Sequence, residues 1–191
     1  MKKNIFFVIE ASSFQLSHSK FVHPNYAILL NISNDHLDWH GATHSYIQSK
    51  LKIFSLQNKN NFALVNENLK NIFKTKKFLS RLIPIKSENY QKIKFKIKND
   101  YLKFKANDEN MNFAYALARL LKIKDNSFIK SMNSFSGLPH RYEKFLKKKG
   151  ITFINDSKAT SFQATKPALS SGNNIYWIVG GLPKDNDKIN L

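Results

Sequence analysis

A strand-like run that breaks off into a polar cluster constrains this chain more than any other feature. Residues 151–154 (Ile-Thr-Phe-Ile) end in Asn155-Asp156-Ser157-Lys158-Ala159-Thr160, which puts an acid, hydroxyls and an ammonium group at the carboxyl end of a strand. Open α/β sheets bind their ligands there. Just upstream stands Gly137-Leu138-Pro139-His140-Arg141, and residues 142–154 between the two stretches read as a hairpin closed by Gly150. Lys147, Lys148 and Lys149 read as its solvated turn.

The net charge of +18 raises the question of a nucleic-acid partner. Arginine occurs only at positions 81, 119 and 141, although bidentate recognition of phosphates and bases favours arginine over lysine. The lysines are spread along the chain among Asn, Ile and Phe, a general compositional bias, so no nucleic acid is expected as a partner. With 42% hydrophobic residues in 191, the chain can bury a core. No apolar run is long enough to span a bilayer, so no membrane insertion is expected. Met1-Lys2-Lys3 followed by Ile5 to Ile9 imitates a secretory start, but Glu10 interrupts it, and residues 4–9 read as a buried strand of a cytoplasmic protein. Zero cysteines exclude disulfides and thiolate metal sites.

Strands are also predicted over 26–32 and 62–65, and an amphipathic helix over 43–55 with Tyr46, Ile47, Leu51 and Phe54 at helical spacing. A further amphipathic segment follows to residue 78. Residues 81–86, 93–98 and 101–105 alternate like strands, with Asn99-Asp100 as a hairpin turn between the last two. Asn107 is placed to cap a helix running to Leu121, with Phe113, Ala114, Leu117, Leu120 and Leu121 on its buried face, and a shorter helix covers 127–133. A helix over 161–170 and a strand over 174–179, ending in Gly180-Gly181, predict a parallel βαβ unit with residues 151–154. The pattern as a whole is α/β.

Three further positions stand out, the first two with two readings each. Glu10, at a strand end beside Ser12 and Ser13, suits a hard cation, or the serines simply cap a helix. His36, between Asp35 and Asp38, suits a metal or an anion, or caps the next helix. Lys50 lies beside the apolar stripe of its helix, where a lysine ordinarily snorkels to water.

Taken jointly, six stretches resemble the Mur ligase family of peptidoglycan synthesis. They are 10–16 (Glu-Ala-Ser-Ser-Phe-Gln-Leu), 31–38 (Asn-Ile-Ser-Asn-Asp-His-Leu-Asp), 46–50, 137–141, 155–160 and 180–184 (Gly-Gly-Leu-Pro-Lys), in the family's order. Sibling branches carry an Asp-Tyr-Ala-His-like stretch where this chain has Asn155 to Lys158, which favours the D-glutamate-adding branch. A folylpolyglutamate-type ligase shares the architecture but not the 155–160 stretch.

The resemblance implies a partial central domain over 1–136, with a mostly parallel sheet, flanking helices and a small antiparallel part. The start of a Rossmann-like C-terminal domain follows over 137–191. It implies an ATP-dependent ligase that joins D-glutamate to UDP-N-acetylmuramoyl-L-alanine through an acyl phosphate. Glu10, His36 and a carbamylated Lys50 would bind Mg²⁺; Ser12 and Gln15 would line the substrate site. Asn107, Asn110, Arg141 and Asp156 would hold ATP, Lys158 and Thr160 would lie near the phosphates and the incoming amino acid, and Lys184 would pair with a D-glutamate carboxylate. Lys50, His36 and Lys158 are thereby the expected catalytic residues.

Two positions depart from the family pattern: Ala106 replaces the histidine that opens the asparagine motif, and Asn34 replaces the acid before Asp35-His36. A Gly-x-x-Gly-Lys-Thr/Ser phosphate loop is found nowhere in the sequence, so the chain reads as a central segment of a ligase, with no protein partner expected unless a second chain supplies the missing domains. By itself this polypeptide is expected to show no ligase turnover. Release of ADP that depends on both D-glutamate and the muramoyl nucleotide would overturn that expectation.

Overall fold

The computed structural model describes residues 5–32, 37–86 and 88–182. Three apolar runs, each preceded by a polar residue (Asn25, Asn61 or Ser80), pair as a parallel sheet. They are β1 (Tyr26–Leu29), β2 (Phe62–Asn66) and β3 (Arg81–Ile85), in the order β1-β2-β3. The register sets Tyr26 beside Phe62 and Phe62 beside Arg81. The two rings stack 5.4 Å apart at 6°, and the Arg81 guanidinium lies 5.7 Å from the Phe62 centroid. Ala63, Leu64 and Val65 of β2 are all buried, as a strand covered on both faces requires, whereas β1 buries alternate residues, Ala27 and Leu29. Pro84 falls in β3, an outer strand, where a missing N–H is tolerated.

The helices follow the sequence spacing closely in this part. They are α1 (Ser13–His18), α2 (Leu37–His40), α3 (Thr43–Leu51), continued by a 3-10 turn over Lys52–Phe54, and α4 (Lys70–Thr75). α3 packs on α1 and α2. Leu51, Phe54 and Phe73 join the buried side chains of β1 and β2 in one core, and the rings of Phe54 and Phe73 meet edge to face at 5.2 Å. Buried Gln57 donates from its amide nitrogen to the Pro24 and Phe62 carbonyls, which closes the loops at the sheet's lower end without orphaning backbone acceptors.

The remaining elements are α5 (Glu88–Lys94), α6 (Asp100–Lys103), α7 (Asp108–Leu120), α8 (Asp125–Asn133), β4 (Glu143–Lys148), β5 (Ile151–Asn155) and α9 (Phe162–Leu169). β4 and β5 form the expected antiparallel hairpin. Its two-residue turn holds Lys149 at φ 49° and Gly150 at φ 80°, the left-handed pair that matches strand twist. Ser161 caps α9 by accepting the Ala164 N–H, as the predicted helix start demands. The chain divides into two compact units, residues 1–89 with 112–117 and residues 90–111 with 118–191. No helix among the described residues is long and apolar enough to cross a membrane.

Three expectations fail, each for a local physical reason. Residues 93–105 form no strand pair. Tyr90, Ile93 and Ile97 recur three and four residues apart and are all buried, a helical rather than a strand period. Asn99 caps α6 by accepting the Leu102 N–H at 3.1 Å, and its amide donates to the Met132 and Phe135 carbonyls, so it opens a helix instead of turning a hairpin. Residues 5–9 are not a buried strand: they pair with no strand among the described residues, and Val8 is 96% exposed. Residues 174–179 likewise join no sheet, so the expected parallel partner of β5 is not formed, and Ile178 is 98% exposed. An apolar run becomes a strand only where another strand receives its N–H and C=O groups.

The contrast between buried and exposed apolar residues is measurable. Phe54, fully buried, should lose about 3–5 kcal/mol of stability on replacement by alanine, whereas Val8→Thr should change it by less than about 0.5 kcal/mol. Urea unfolding midpoints of the two variants check this.

Candidate active site

In the first unit the residues around Glu10 are organised by a helix cap. Ser12 precedes α1, and its Oγ accepts the Gln15 N–H at 3.2 Å while Gln15 Oε1 accepts the Ser12 N–H at 2.8 Å. The capping alternative for this stretch is therefore the one the helix uses. Both side chains are exposed, as is Glu10.

Lys50 does not snorkel freely. Its Nζ sits 5.0 Å from the centroid of the Tyr46 ring, one helical turn earlier, and Tyr46 is itself buried. Around Tyr46 the structure gathers aromatic groups to which the sequence reading gave no role. His40 Nε2 lies 3.0 Å from Oγ of buried Ser13, its ring stacks on Phe14 at 5.6 Å, and it meets Tyr46 at 5.3 Å. Trp39 packs edge-on against Phe14 at 4.8 Å. These contacts fasten α1, α2 and α3 together, so His40 holds the elements that carry Ser12, Gln15 and Lys50. The clue in the sequence was the run of ring-bearing residues Trp39-His40 and Tyr46 around Lys50.

His36 and Lys184 lie outside the described residues. Among the described residues no three His, Asp or Glu side chains converge as a ready-made metal centre. An ammonium cannot ligate a cation, so Lys50 would enter such a set only as a carbamate. With Glu10 it would then offer oxygen donors of the kind Mg²⁺ prefers.

In the second unit three of the four expected nucleotide residues come together. Asn107, Asn110 and Arg141 line one cavity of about 170 Å³ together with Tyr101, Phe135 and Leu138. A larger hollow of about 320 Å³ runs along the exposed hairpin beside Lys144 and Phe145 and includes none of the expected residues. Asn107 ends the 3-10 turn that leads into α7, and its amide nitrogen donates to the Tyr101 carbonyl at 2.6 Å, which fixes it at the cavity wall. Asp156 is half-buried, and its Oδ1 accepts the Tyr142 N–H at 2.8 Å. Lys158 is exposed and donates its backbone N–H to the His140 carbonyl at 2.9 Å, while Thr160 is exposed two residues on.

Tyr101, Phe104 and Tyr142 are the residues of this cavity region that sequence reasoning missed. Burial raises the Tyr101 pKa above its ordinary value, nearby Arg141 pulls it down, and Asp156 pushes it up. The phenol is therefore neutral at physiological pH and reports on both charges.

Comparison with known proteins completes this picture. The Mur ligase middle domain, as a family, matches residues 1–134. The chain belongs to the Mur ligase family. The UDP-N-acetylmuramoylalanine–D-glutamate ligase of Zymomonas mobilis is 34% identical over 182 residues, which cover 95% of this chain and 41% of the relative. The ligase of the same name from Pseudothermotoga lettingae is 31% identical over 99% of this chain and 46% of its own length. The Rickettsia bellii ligase is 35% identical over 94% and 45%. This Mur ligase chain thus spans less than half the length of the curated relatives it matches. Among solved structures, the MurF ligase of Thermotoga maritima in complex with ADP matches with a TM-score of 0.53 and 16% identity over 77% of this chain and 38% of the other. That likeness shows a shared fold.

The charges around Tyr101 give a test of the cavity's geometry. Arg141→Met should move the Tyr101 ionisation to higher pH, and Asp156→Asn should move it to lower pH, because the first removes a cation that favours the phenolate and the second an anion that opposes it. Tyrosinate absorbance, read as the difference from the matching Tyr101→Phe background, checks both signs.

Proposed function

We propose that this chain carries the nucleotide-holding and acyl-activating residues of an ATP-dependent ligase that adds D-glutamate to UDP-N-acetylmuramoyl-L-alanine. The observation that carries the reading is the meeting of Asn107, Asn110 and Arg141 on one cavity wall, in a chain whose relatives are named as that ligase. The ADP in the Thermotoga maritima relative supports a nucleotide as the occupant. On this reading the domains are 1–136 and 137–191.

Each residue has a task that its chemistry suits. The amides of Asn107 and Asn110 offer neutral donors and acceptors to a base or sugar edge, and Arg141 offers a planar cation to phosphate oxygens. Asp156 accepts from sugar hydroxyls. The γ-phosphoryl group passes to the terminal carboxylate of the muramoyl substrate, leaving ADP and an acyl phosphate. The amine of D-glutamate then attacks the acyl carbon, a tetrahedral intermediate forms, and phosphate leaves as the amide is made. Little covalent chemistry falls to the protein, so positioning and charge neutralisation supply the rate.

Glu10, His36 and Lys50 as a carbamate would hold Mg²⁺, which when bound neutralises charge on the phosphate oxygens. Carbamylation requires Lys50 to leave the Tyr46 ring face as a neutral amine, to bond its nitrogen to the carbon of CO₂ and to release a proton. Ser12 and Gln15, two and five residues after Glu10, are assigned to the muramoyl substrate. Lys158, Thr160 and Lys184 are assigned to D-glutamate and the phosphates, since a dianion leaving water needs cationic partners.

The test is a chimera in which this chain is completed by the segments that the Zymomonas mobilis ligase carries beyond the match. Phosphate release that depends on D-glutamate is expected, and Lys50→Ala should lower it by roughly a hundredfold or more, in the range seen when a charge-stabilising group is lost. Short carboxylic acids should restore part of the rate by replacing the carbamate. An Ala variant that turns over like the parent chimera refutes the assignment of Lys50.

A further inference from the structure

Arg141 stands between two residues with left-handed backbone, His140 at φ 63° and Tyr142 at φ 47°. Such conformations are costly for residues with a Cβ and persist only where the surroundings hold them. His140 is held by its N–H to Glu143 Oε2 at 2.8 Å, by its carbonyl from the Lys158 N–H at 2.9 Å, and by Nδ1 against the Asn155 amide at 2.9 Å. Tyr142 is held differently. Its N–H donates to Asp156, its ring lies flat on Phe104 at 4.7 Å and 4°, and its hydroxyl meets Ser171 Oγ at 2.5 Å.

Phe104 is the other half of the arrangement. Its carbonyl accepts the Asn107 N–H at 2.8 Å, at the start of the 3-10 turn that delivers the asparagines to the cavity. The ring stack therefore joins the segment bearing Asn107 and Asn110 to the loop bearing Arg141. The Tyr142 N–H extends the same connection to Asp156. One residue, Tyr142, thus touches every polypeptide segment that supplies an expected nucleotide contact, through its ring on one side and its backbone N–H on the other.

We infer that Tyr142 is a positioning residue of the nucleotide site, which sets Arg141 and Asp156 against Asn107 and Asn110 through its stack on Phe104. The inference rests on the nucleotide reading of this cavity. The stack does the positioning, so a phenyl ring suffices and the hydroxyl is secondary. A residue of similar bulk without a flat face does not suffice.

ADP titrated into the 191-residue chain, followed by amide NMR shifts, tests this with the thermal midpoint measured in parallel. Tyr142→Phe should keep ADP affinity within about twofold, whereas Tyr142→Leu should weaken it about tenfold with an unchanged thermal midpoint. Phe104→Leu should match Tyr142→Leu, and the double variant should be no weaker than either, as expected of two residues acting as one unit. Arg141→Ala and Asp156→Asn report on the cavity itself. Loss of affinity in those two with Tyr142→Leu binding like wild type overturns the positioning role alone. A Tyr142→Leu loss that Tyr142→Phe shares, or that follows the thermal midpoint, also overturns it. Absence of saturable ADP binding by the wild-type chain overturns the nucleotide reading and the positioning role together.

Discussion

The hydrogen bond from the Tyr142 N–H to Asp156 governs the second unit. It spans 14 residues and sits at the open end of the β4–β5 hairpin, next to the Glu143–Asn155 pair that begins the ladder. A charge-assisted bond of this kind is roughly twice as strong as a neutral one and orients the carboxylate as well as the backbone. The left-handed turn at Lys149-Gly150 closes the far end, so both ends of the hairpin are fixed at once. Arg141 and Asp156 gain defined positions from the same device.

The first unit follows a different logic. Its order comes from β2, buried on both faces, and from rings that meet where α1, α2 and α3 converge. Lys50 Nζ lies over the Tyr46 ring face there.

The sequence made much of this legible. The hairpin, α3, α8 and α9 stand where periodicity and turn chemistry placed them, because each is defined by neighbours close along the chain, and β1 and β2 stand where their apolar runs placed them. Residues 93–105 misled because Lys alternating with Phe and Ile mimics a strand, while the deciding facts were the burial of Tyr90, Ile93 and Ile97 and the reach of Asn99 to carbonyls 33 and 36 residues away. Residues 5–9 and 174–179 misled because an apolar run does not reveal whether another strand lies beside it. Motif spacing made Asn107, Asn110, Arg141 and Asp156 legible as candidates, of which the first three line one cavity. Tyr101, Phe104 and Tyr142 were not, since a ring stack between residues 104 and 142 leaves no periodic trace.

The two left-handed residues beside Arg141 carry a longer consequence. Each costs about 1 kcal/mol or more relative to a relaxed backbone, and glycine at either position would remove that cost. It would also remove the Phe104 stack or the Asn155 contact that orients the loop. Selection for thermal robustness and selection for ligand contact therefore pull these positions in opposite directions. In a lineage freed from the second demand, His140 and Tyr142 are where drift toward glycine would begin, and their identity becomes a running record of whether the site is still in use.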